Sequence, residues 1–323
     1  MTGCTGFIGF HLSKKLLLED VPVLGIDRLI SKDNDLQAWR LESLTKQGIQ
    51  FVNANIVDKK ELNKKIVDAN FSPEFSSIYH LAGSSGVRQS VKEPKKYYQN
   101  NIIGTINMLN LATEFSGKSF VLASSSSVYG LQDKYNKHPF IEDDTIVNPQ
   151  SPYAHSKLIA EIISKYYFGI SSLNVTLLRF FTVYGPAGRI DMSILQFIHN
   201  IINRYPVKIF GNGYQERDYT YVEDICDGII LSSKLKGYQT LNLGSANPYS
   251  VISIVRILEK ILKIDSEIEY CTKHDADVDY TWANIDKAKS LLNWTPKISL
   301  ENGLEKTVDW YKKNQKWLHT IFG

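Results

Sequence analysis

Tyr153 and Lys157 stand four residues apart in Tyr153-Ala154-His155-Ser156-Lys157. On a helix that spacing puts a phenol and an ammonium on one face. A neighbouring cation favours the phenolate, so the pair predicts a lowered phenol pKa and makes Tyr153 a general base. Of the 18 tyrosines only Tyr153 has lysine at the fourth following position, and Ser151-Pro152 ahead of it marks a helix start. Ser124-Ser125-Ser126-Ser127 closes an apolar run. Ligands of open parallel sheets bind beyond such strand ends, where a hydroxyl can hydrogen-bond a substrate oxygen beside the phenol. No Ser-His-Asp set accompanies these serines, which argues against serine nucleophiles. The seven histidines show no metal-ligand spacing, so no metal is expected. His80 and His155 read as packing or hydrogen-bonding residues.

Thr2-Gly3-Cys4-Thr5-Gly6-Phe7-Ile8-Gly9 spaces glycines by threes and runs straight into an amphipathic stretch. Glycines allow a tight turn and close backbone approach. The helix that follows aims its N–H groups and positive dipole end at a pyrophosphate. Asp27, eighteen residues beyond Gly9, ends the next apolar run. A carboxylate there accepts hydrogen bonds from both ribose hydroxyls and repels a 2′-phosphate, which selects NAD over NADP; Arg28 beside it works against that selection. A turn of this kind follows a central strand, yet only Met1 and Thr2 precede Gly3. The expectation is that Met1 is an internal start and that the native product carries several more apolar residues. An intact mass of protein from its own host would decide this.

Short apolar runs and helical patterns alternate over the first two-thirds of the chain. Residues 21–27, 50–53, 77–81, 119–123 and 175–179 read as strands covered on both faces, and 7–19, 59–69, 94–115 and 151–168 as helices. The alternation predicts an α/β fold with a parallel sheet between helices. After about residue 180 come loops rich in Gly, Tyr and Pro, with helices near 191–204, 250–262 and 300–315. This part reads as a smaller C-terminal region lying over the sheet. The sequence has no internal repeat, low-complexity tract or long linker.

With 43% apolar and 22% charged residues among 323, the composition is ordinary for a globular chain with one large core or two coupled domains. No stretch reaches the roughly 18–20 apolar residues of a membrane span, and no signal-peptide pattern opens the sequence. Three scattered cysteines, Cys4, Cys226 and Cys271, fit a reducing, cytoplasmic compartment and no disulfide framework. A net charge of +3 and basic runs as short as Lys95-Lys96 speak against nucleic acid as a partner. A small anionic ligand needs only a few local cations.

Together the glycine turn, His80-Leu81-Ala82-Gly83, Asn101, the serine run and the Tyr153/Lys157 pair resemble the extended short-chain dehydrogenase/reductase superfamily of nucleotide-sugar epimerases and dehydratases. The resemblance covers nearly the whole chain. It implies a Rossmann-type doubly wound parallel sheet binding NAD (residues 1–178, with segments near 219–245 returning to it). It implies a smaller C-terminal α/β domain, mainly 179–323, binding a nucleoside-diphosphate sugar. Cofactor contacts are implied for Gly3, Gly6, Phe7, Ile8, Gly9, Asp27, Leu81, Ala82, Gly83, Asn101, Tyr153 and Lys157. Asn55-Ile56 stands where the family's Asp-hydrophobic pair contacts adenine, and the amide keeps a hydrogen-bonding group there.

The catalytic hydroxyl of the family lies four residues before the Tyr of Val128-Tyr129-Gly130, which is Ser125. Sugar 4,6-dehydratases carry Asp-Glu at the next two positions, and UDP-glucuronate decarboxylases a Glu at the second. Here these are Ser126 and Ser127, so both reactions lack their acid/base groups. Ser124–Gly130, Gly86–Ser90, Arg179–Pro186, Gly188–Met192 and Asp277–Ala283 are similar to UDP-glucuronate 4-epimerases, whereas UDP-glucose 4-epimerases usually carry Asn where Thr182 stands. Gln89 replaces a usual Tyr, and the segment after Asp27 is short.

The resemblance thus implies NAD-dependent conversion of UDP-glucuronate to UDP-galacturonate through a 4-keto sugar. Tyr153 is the implied base, Lys157 its cation, and Ser125 the second ligand of the reacting oxygen. Ser126, Ser127 and Thr182 would line the carboxylate pocket and Arg217 would bind the diphosphate. Arg88 and Arg189 add charge for a strongly anionic substrate. A homodimer through helices near 95–115 and 152–168 is implied as well. The alternatives are a UDP-glucose or UDP-N-acetylglucosamine 4-epimerase, a UDP-glucuronate decarboxylase, and a non-catalytic NAD-binding module.

Overall fold

The strands form where apolar and β-branched residues run together. Ser119–Ser125 is buried along its whole length. Phe120 and Leu122 enter one core layer while Val121 and Ala123 enter the layer on the opposite face. That two-residue alternation, apolar on both faces, requires helices on both sides of the sheet. The computed structural model describes residues 1–29, 35–70, 76–115, 117–131, 137–144, 146, 149–273 and 276–322.

The main sheet is parallel throughout. Gln50–Asn53 pairs with Leu24–Asp27. Ser77–His80, Ser119–Ser125, Asn174–Phe180 and Tyr238–Leu243 follow one another on the other side. Thr2 joins the two halves, bridging Ile26 on one side and His80 on the other. Ile26 N donates to Met1 O at 2.7 Å, Thr2 N to Tyr79 O at 3.0 Å and Gly3 N to Ile26 O at 2.8 Å. Met1 and Thr2 therefore occupy the central position of a doubly wound sheet, and chain order reverses around them. The expected strands are present, with Leu24–Asp27 starting after Pro22, which has no N–H for a ladder.

Helices Phe7–Leu18 and Val222–Ser232 pack on one face, and Gly104–Glu114 and Pro152–Ile170 on the other. Side chains such as Phe120 and Leu177, fully buried, contribute about 1.5–3 kcal/mol each. The expected helix over 94–115 is three pieces: Pro94–Tyr98, a π-helical turn Gln99–Ile103, and Gly104–Glu114. The wide turn carries buried Asn101; such turns concentrate at functional sites.

Beyond residue 180 the chain builds two small sheets. Thr182–Tyr184 runs parallel to Tyr219–Tyr221, and Pro248–Ser250 antiparallel to Glu216–Asp218. Val207–Phe210 pairs with Ile268–Cys271. Helices Ser193–Ile202, Val251–Leu262 and Leu300–Phe322 enclose a second core with Ile198, Leu258, Leu304 and Tyr311 at its centre. No described helix is long and apolar enough to cross a membrane.

Candidate active site

A cavity of about 590 Å³ opens beyond the carboxyl ends of the parallel strands, between the sheet and the C-terminal region. Gly3, Gly6, Phe7, Ile8 and Gly9 form one end of it. Gly3 sits at φ +74°, and a Cβ there would lie 2.7 Å from Ala82 N. At Gly9 a Cβ would fall 1.9 Å from Gly3 O. Side chains at either position would open the turn. Helix Phe7–Leu18 begins at Gly6 with no side-chain cap, so the N–H groups of its first turn face a cavity wall with no side-chain partner among the described residues. An anionic ligand such as a dinucleotide pyrophosphate fits that donor set.

Asp27 ends its strand behind this turn and does not line the cavity. Its Oδ2 accepts from Thr5 N at 3.0 Å and Thr5 Oγ1 at 2.6 Å, and its Oδ1 from Arg28 N at 2.8 Å. Burial holds the carboxyl above its usual range, opposed by these hydrogen bonds and by Arg40. Leu81 and Gly83 line the cavity, whereas Ala82 lies behind it, its N–H donating to Thr2 Oγ1 at 3.2 Å. Asn101 also lies behind the wall. Its Oδ1 accepts from Ser84 N at 2.7 Å, and its Nδ2 donates to Ser84 O at 3.0 Å and Ser156 Oγ at 2.8 Å. It thereby ties the loop after Gly83 to the Tyr153 helix. Asn55 Oδ1 accepts from Val57 N at 3.1 Å, and Ile56 is buried against Gly104. Both lie outside the cavity lining.

Tyr153 and Lys157 come from the first turns of Pro152–Ile170, capped by Ser151, whose hydroxyl accepts from Ala154 N at 3.1 Å. Both line the cavity together with Ser125, Ser126 and Ser127. Lys157 Nζ donates to Ala123 O at 2.7 Å. Burial lowers its pKa to about 8, with Glu161 working the other way. The expected lowering of the Tyr153 phenol differs from what the site shows. Burial raises it, while Ser125 and the charge of Arg189 pull it back. The reason is geometric: the ammonium is held by a strand carbonyl, and desolvation dominates at the phenol. Ser125 Oγ lies 3.1 Å from Ser127 Oγ and accepts from Ser127 N at 3.2 Å, so strand end and serine turn brace one another.

Thr182, Arg189 and Arg217 close the other end. Arg217 Nη1 donates to Glu216 O at 2.8 Å and Nη2 to Val278 O at 2.7 Å. Burial lowers its pKa. A half-withdrawn guanidinium held by carbonyls keeps its charge available for an anion. Next to it, fully buried Asp218 accepts from Ser245 N, Ala246 N and Ala283 N at 2.6–3.0 Å, which locks the strand that presents Arg217. Arg189 Nη1 donates to Ser85 Oγ at 2.6 Å, and its other nitrogens pair with Asp191. Arg88 is not in the lining. It pairs with Asp277 at 2.6 Å and lies 4.0 Å above the Phe210 ring, acting between the two parts of the chain.

Arg40, Ser84, Ser85, Gln150, Met192 and Asp277 line the cavity without having been singled out as site residues. Asp277 falls in one of the family-like stretches, and Ser84 and Ser85 directly follow Gly83. Arg40 carries no motif.

The profile of the family described as GDP-mannose 4,6 dehydratase matches residues 1–307. The chain belongs to that family. The chain is 44% identical over 324 residues to a UDP-glucuronate 4-epimerase of Thermodesulfobacterium geofontis, spanning 99% of this chain and 98% of the relative. Its fold superposes on a UDP-glucuronic acid 4-epimerase from Bacillus cereus, solved with UDP-glucuronic acid and NAD. The TM-score is 0.87 at 32% identity, covering 97% and 98% of the two chains. A UDP-glucose 4-epimerase from Thermotoga maritima, solved with UDP-glucose, matches with a TM-score of 0.88 at 28% identity and the same coverage.

Proposed function

We propose that the protein is an NAD-dependent UDP-glucuronate 4-epimerase, forming UDP-galacturonate through a 4-keto sugar. One observation carries the reading. Ser125, Tyr153 and Lys157 share a cavity with Arg217, and the two positions after Ser125 are hydroxyls, not the carboxyls that dehydration requires. The similarity to the Thermodesulfobacterium and Bacillus enzymes, named for this reaction, supports it.

In this reading Gly3, Gly6, Phe7, Ile8, Gly9, Leu81 and Gly83 hold the dinucleotide. Asp27 sets the turn from behind, Asn101 fixes the loop after Gly83, and Asn55-Ile56, outside the cavity lining, would stand on the adenine side. NAD, when bound, supplies the two-electron oxidation of sugar C4 and its reversal. Tyr153 removes the proton of the 4-hydroxyl and later returns one to the same oxygen, so the reaction is redox-neutral overall. Ser125 holds that oxygen in place and, with the charge of Arg189, favours the phenolate, while Lys157 keeps an ammonium one helical turn on in the same cavity. Between the two halves the keto sugar turns about its phosphate linkage, with Arg217 anchoring the diphosphate. The intermediate is a β-keto acid. It loses carbon dioxide when its carboxylate aligns with the carbonyl π system, and hydroxyls of Ser126, Ser127 and Thr182 hold the carboxylate out of that alignment.

Proton NMR of the protein with UDP-glucuronate tests this through the anomeric signals. UDP-galacturonate is expected. A UDP-pentose would replace the reading with decarboxylation, and turnover confined to UDP-glucose would replace the substrate. Arg217→Gln removes charge-assisted hydrogen bonds worth about 1.5–3 kcal/mol. UDP affinity then falls roughly 10- to 100-fold by calorimetry, with kcat at saturation changed far less.

The division of labour follows: 1–178 with 219–245 for the cofactor, the remaining C-terminal segments for the nucleotide sugar, in the cytoplasm. The partner is a second copy of the chain. Tyr98, Ile103, Ile162, Tyr166 and Ile170 are 38–64% exposed on the two neighbouring helical segments. An exposed apolar face of this kind marks a protein–protein contact, and a two-fold dimer would bury the same patch from both copies. Ile162→Glu is expected to shift a dimer to monomer in light scattering. A wild-type mass of one chain would remove the proposal.

A further inference from the structure

Helix Asp35–Thr45 touches three parts of the molecule. Trp39 stacks on Trp317 and meets Trp310 edge-on, each at 5.8 Å, on the C-terminal helix. Gln37 Nε2 donates to Thr5 Oγ1 at 2.9 Å, inside the glycine turn. Arg40 reaches both the turn and a loop from the other end of the cavity. Its Nη1 donates to Thr5 O at 3.1 Å, its Nη2 to Ala187 O at 2.6 Å and Gly188 O at 3.0 Å, and its Nε to Ala187 O at 3.2 Å.

The side chain is only 6% exposed, and its four hydrogen bonds to described residues all go to backbone carbonyls. Burial pulls the guanidinium down to about 10, with the charge of Asp27 opposing. Among the described residues no carboxylate bonds it, and a buried charge held by carbonyls alone is a costly way to fill space. What it holds is a strained loop. Ala187 sits at φ +49°, the left-handed region that side chains other than glycine adopt at a cost. His11 Nε2 lies 2.7 Å from the preceding carbonyl, Pro186 O. The residue after Gly188 is Arg189, which lines the cavity. A continuous path therefore runs from Asp27 through Thr5 and Arg40 to the loop that presents Arg189.

We propose that Arg40 is a positioning residue that couples dinucleotide binding at the glycine turn to anion binding at the Arg189 end of the cavity. The proposal rests on the NAD and UDP-sugar reading above. A ligand that orders the turn fixes Thr5 O, and the guanidinium then holds residues 186–188 in the conformation that presents Arg189. Without the tie, part of each anion's binding free energy goes into ordering the loop. Coupling of this kind is reciprocal between the two ligands.

The test is calorimetry of UDP and of UDP-glucuronate on NAD-loaded and NAD-stripped protein, with Arg40→Met and Arg40→Lys alongside wild type. In wild type NAD is expected to raise affinity for both probes about 5- to 150-fold, the usual range of such coupling. In Arg40→Met that ratio, read with NAD at saturation, falls to within about twofold of unity, while the tryptophan emission of the Trp39, Trp310 and Trp317 cluster stays as in wild type. Arg40→Lys, which cannot span both carbonyl sets, gives an intermediate ratio and serves if the Met variant does not fold. A merely structural arginine would lower stability and both affinities while leaving the ratio unchanged, and that result overturns the proposal. So does a wild-type ratio of one. If UDP shows the Arg40-dependent ratio but UDP-glucuronate is not epimerised, the substrate assignment fails and the coupling stands.

Discussion

Tyr153→Phe lowers kcat for epimerisation by about 10²- to 10⁴-fold, the usual worth of a positioned general base. UDP affinity is expected to stay near wild type, because Arg217 and the glycine turn are untouched. Removal of an interaction made only as the proton moves lowers kcat and kcat/KM together. The pH profile adds a sign. Burial holds the phenol above its ordinary value, with Ser125 and Arg189 pulling it down. A base acts deprotonated, so kcat/KM rises with pH along an acid limb. Ser125→Ala removes a group that favours the phenolate, and the limb moves to higher pH. Arg189→Gln moves it the same way. Turnover of Tyr153→Phe within tenfold of wild type, or a limb that ignores Ser125, would sink the role given to the phenol.

Groups whose chemistry is local were legible in the sequence. Gly3, Gly6 and Gly9 announce themselves by spacing, because only glycine survives contacts such as 1.9 Å from Gly3 O. Tyr153 and Lys157 do so through helical periodicity. Groups defined by distant partners were not. Arg88 reads as one more cation for an anionic substrate, but Asp277 takes it, 189 positions along the chain. Arg40 works on backbone carbonyls, which leave no trace in residue types. Strand Tyr238–Leu243 escaped because Gln239, Thr240 and Asn242 break its apolar run. Buried Asn242 is there to accept from the Tyr129 hydroxyl at 2.7 Å and to donate to Phe140 O at 2.9 Å. The π-helical turn at 99–103 was hidden inside a pattern that any helix would produce.

Glu161→Ala is expected to destabilise the protein by about 3–5 kcal/mol, the cost of leaving a buried charge without its partner. Glu161 and Arg179 are 4% and 5% exposed and pair through two hydrogen bonds of 2.8 and 3.1 Å. Ser124 Oγ donates to the same carboxylate at 2.5 Å, and the Arg179 guanidinium lies 4.8 Å over the Tyr129 ring. Tyr153, Lys157 and Glu161 follow one another at four-residue steps, so this pair lies directly beneath the catalytic face. Desolvation makes the intact pair worth little net, and its removal as a unit costs far less than breaking it. The double variant Glu161→Met/Arg179→Met should therefore recover most of the stability lost in Glu161→Ala, as read by urea unfolding. It should not recover activity to the same extent. Glu161 is the group that raises the Lys157 pKa against burial. Without it the ammonium in the same cavity loses its proton at lower pH, and the rise of kcat with pH ends at a lower pH. A double variant as unstable as the single one would show that packing around residue 161, not charge, carries the effect. An unchanged end to that rise would separate Glu161 from the lysine altogether.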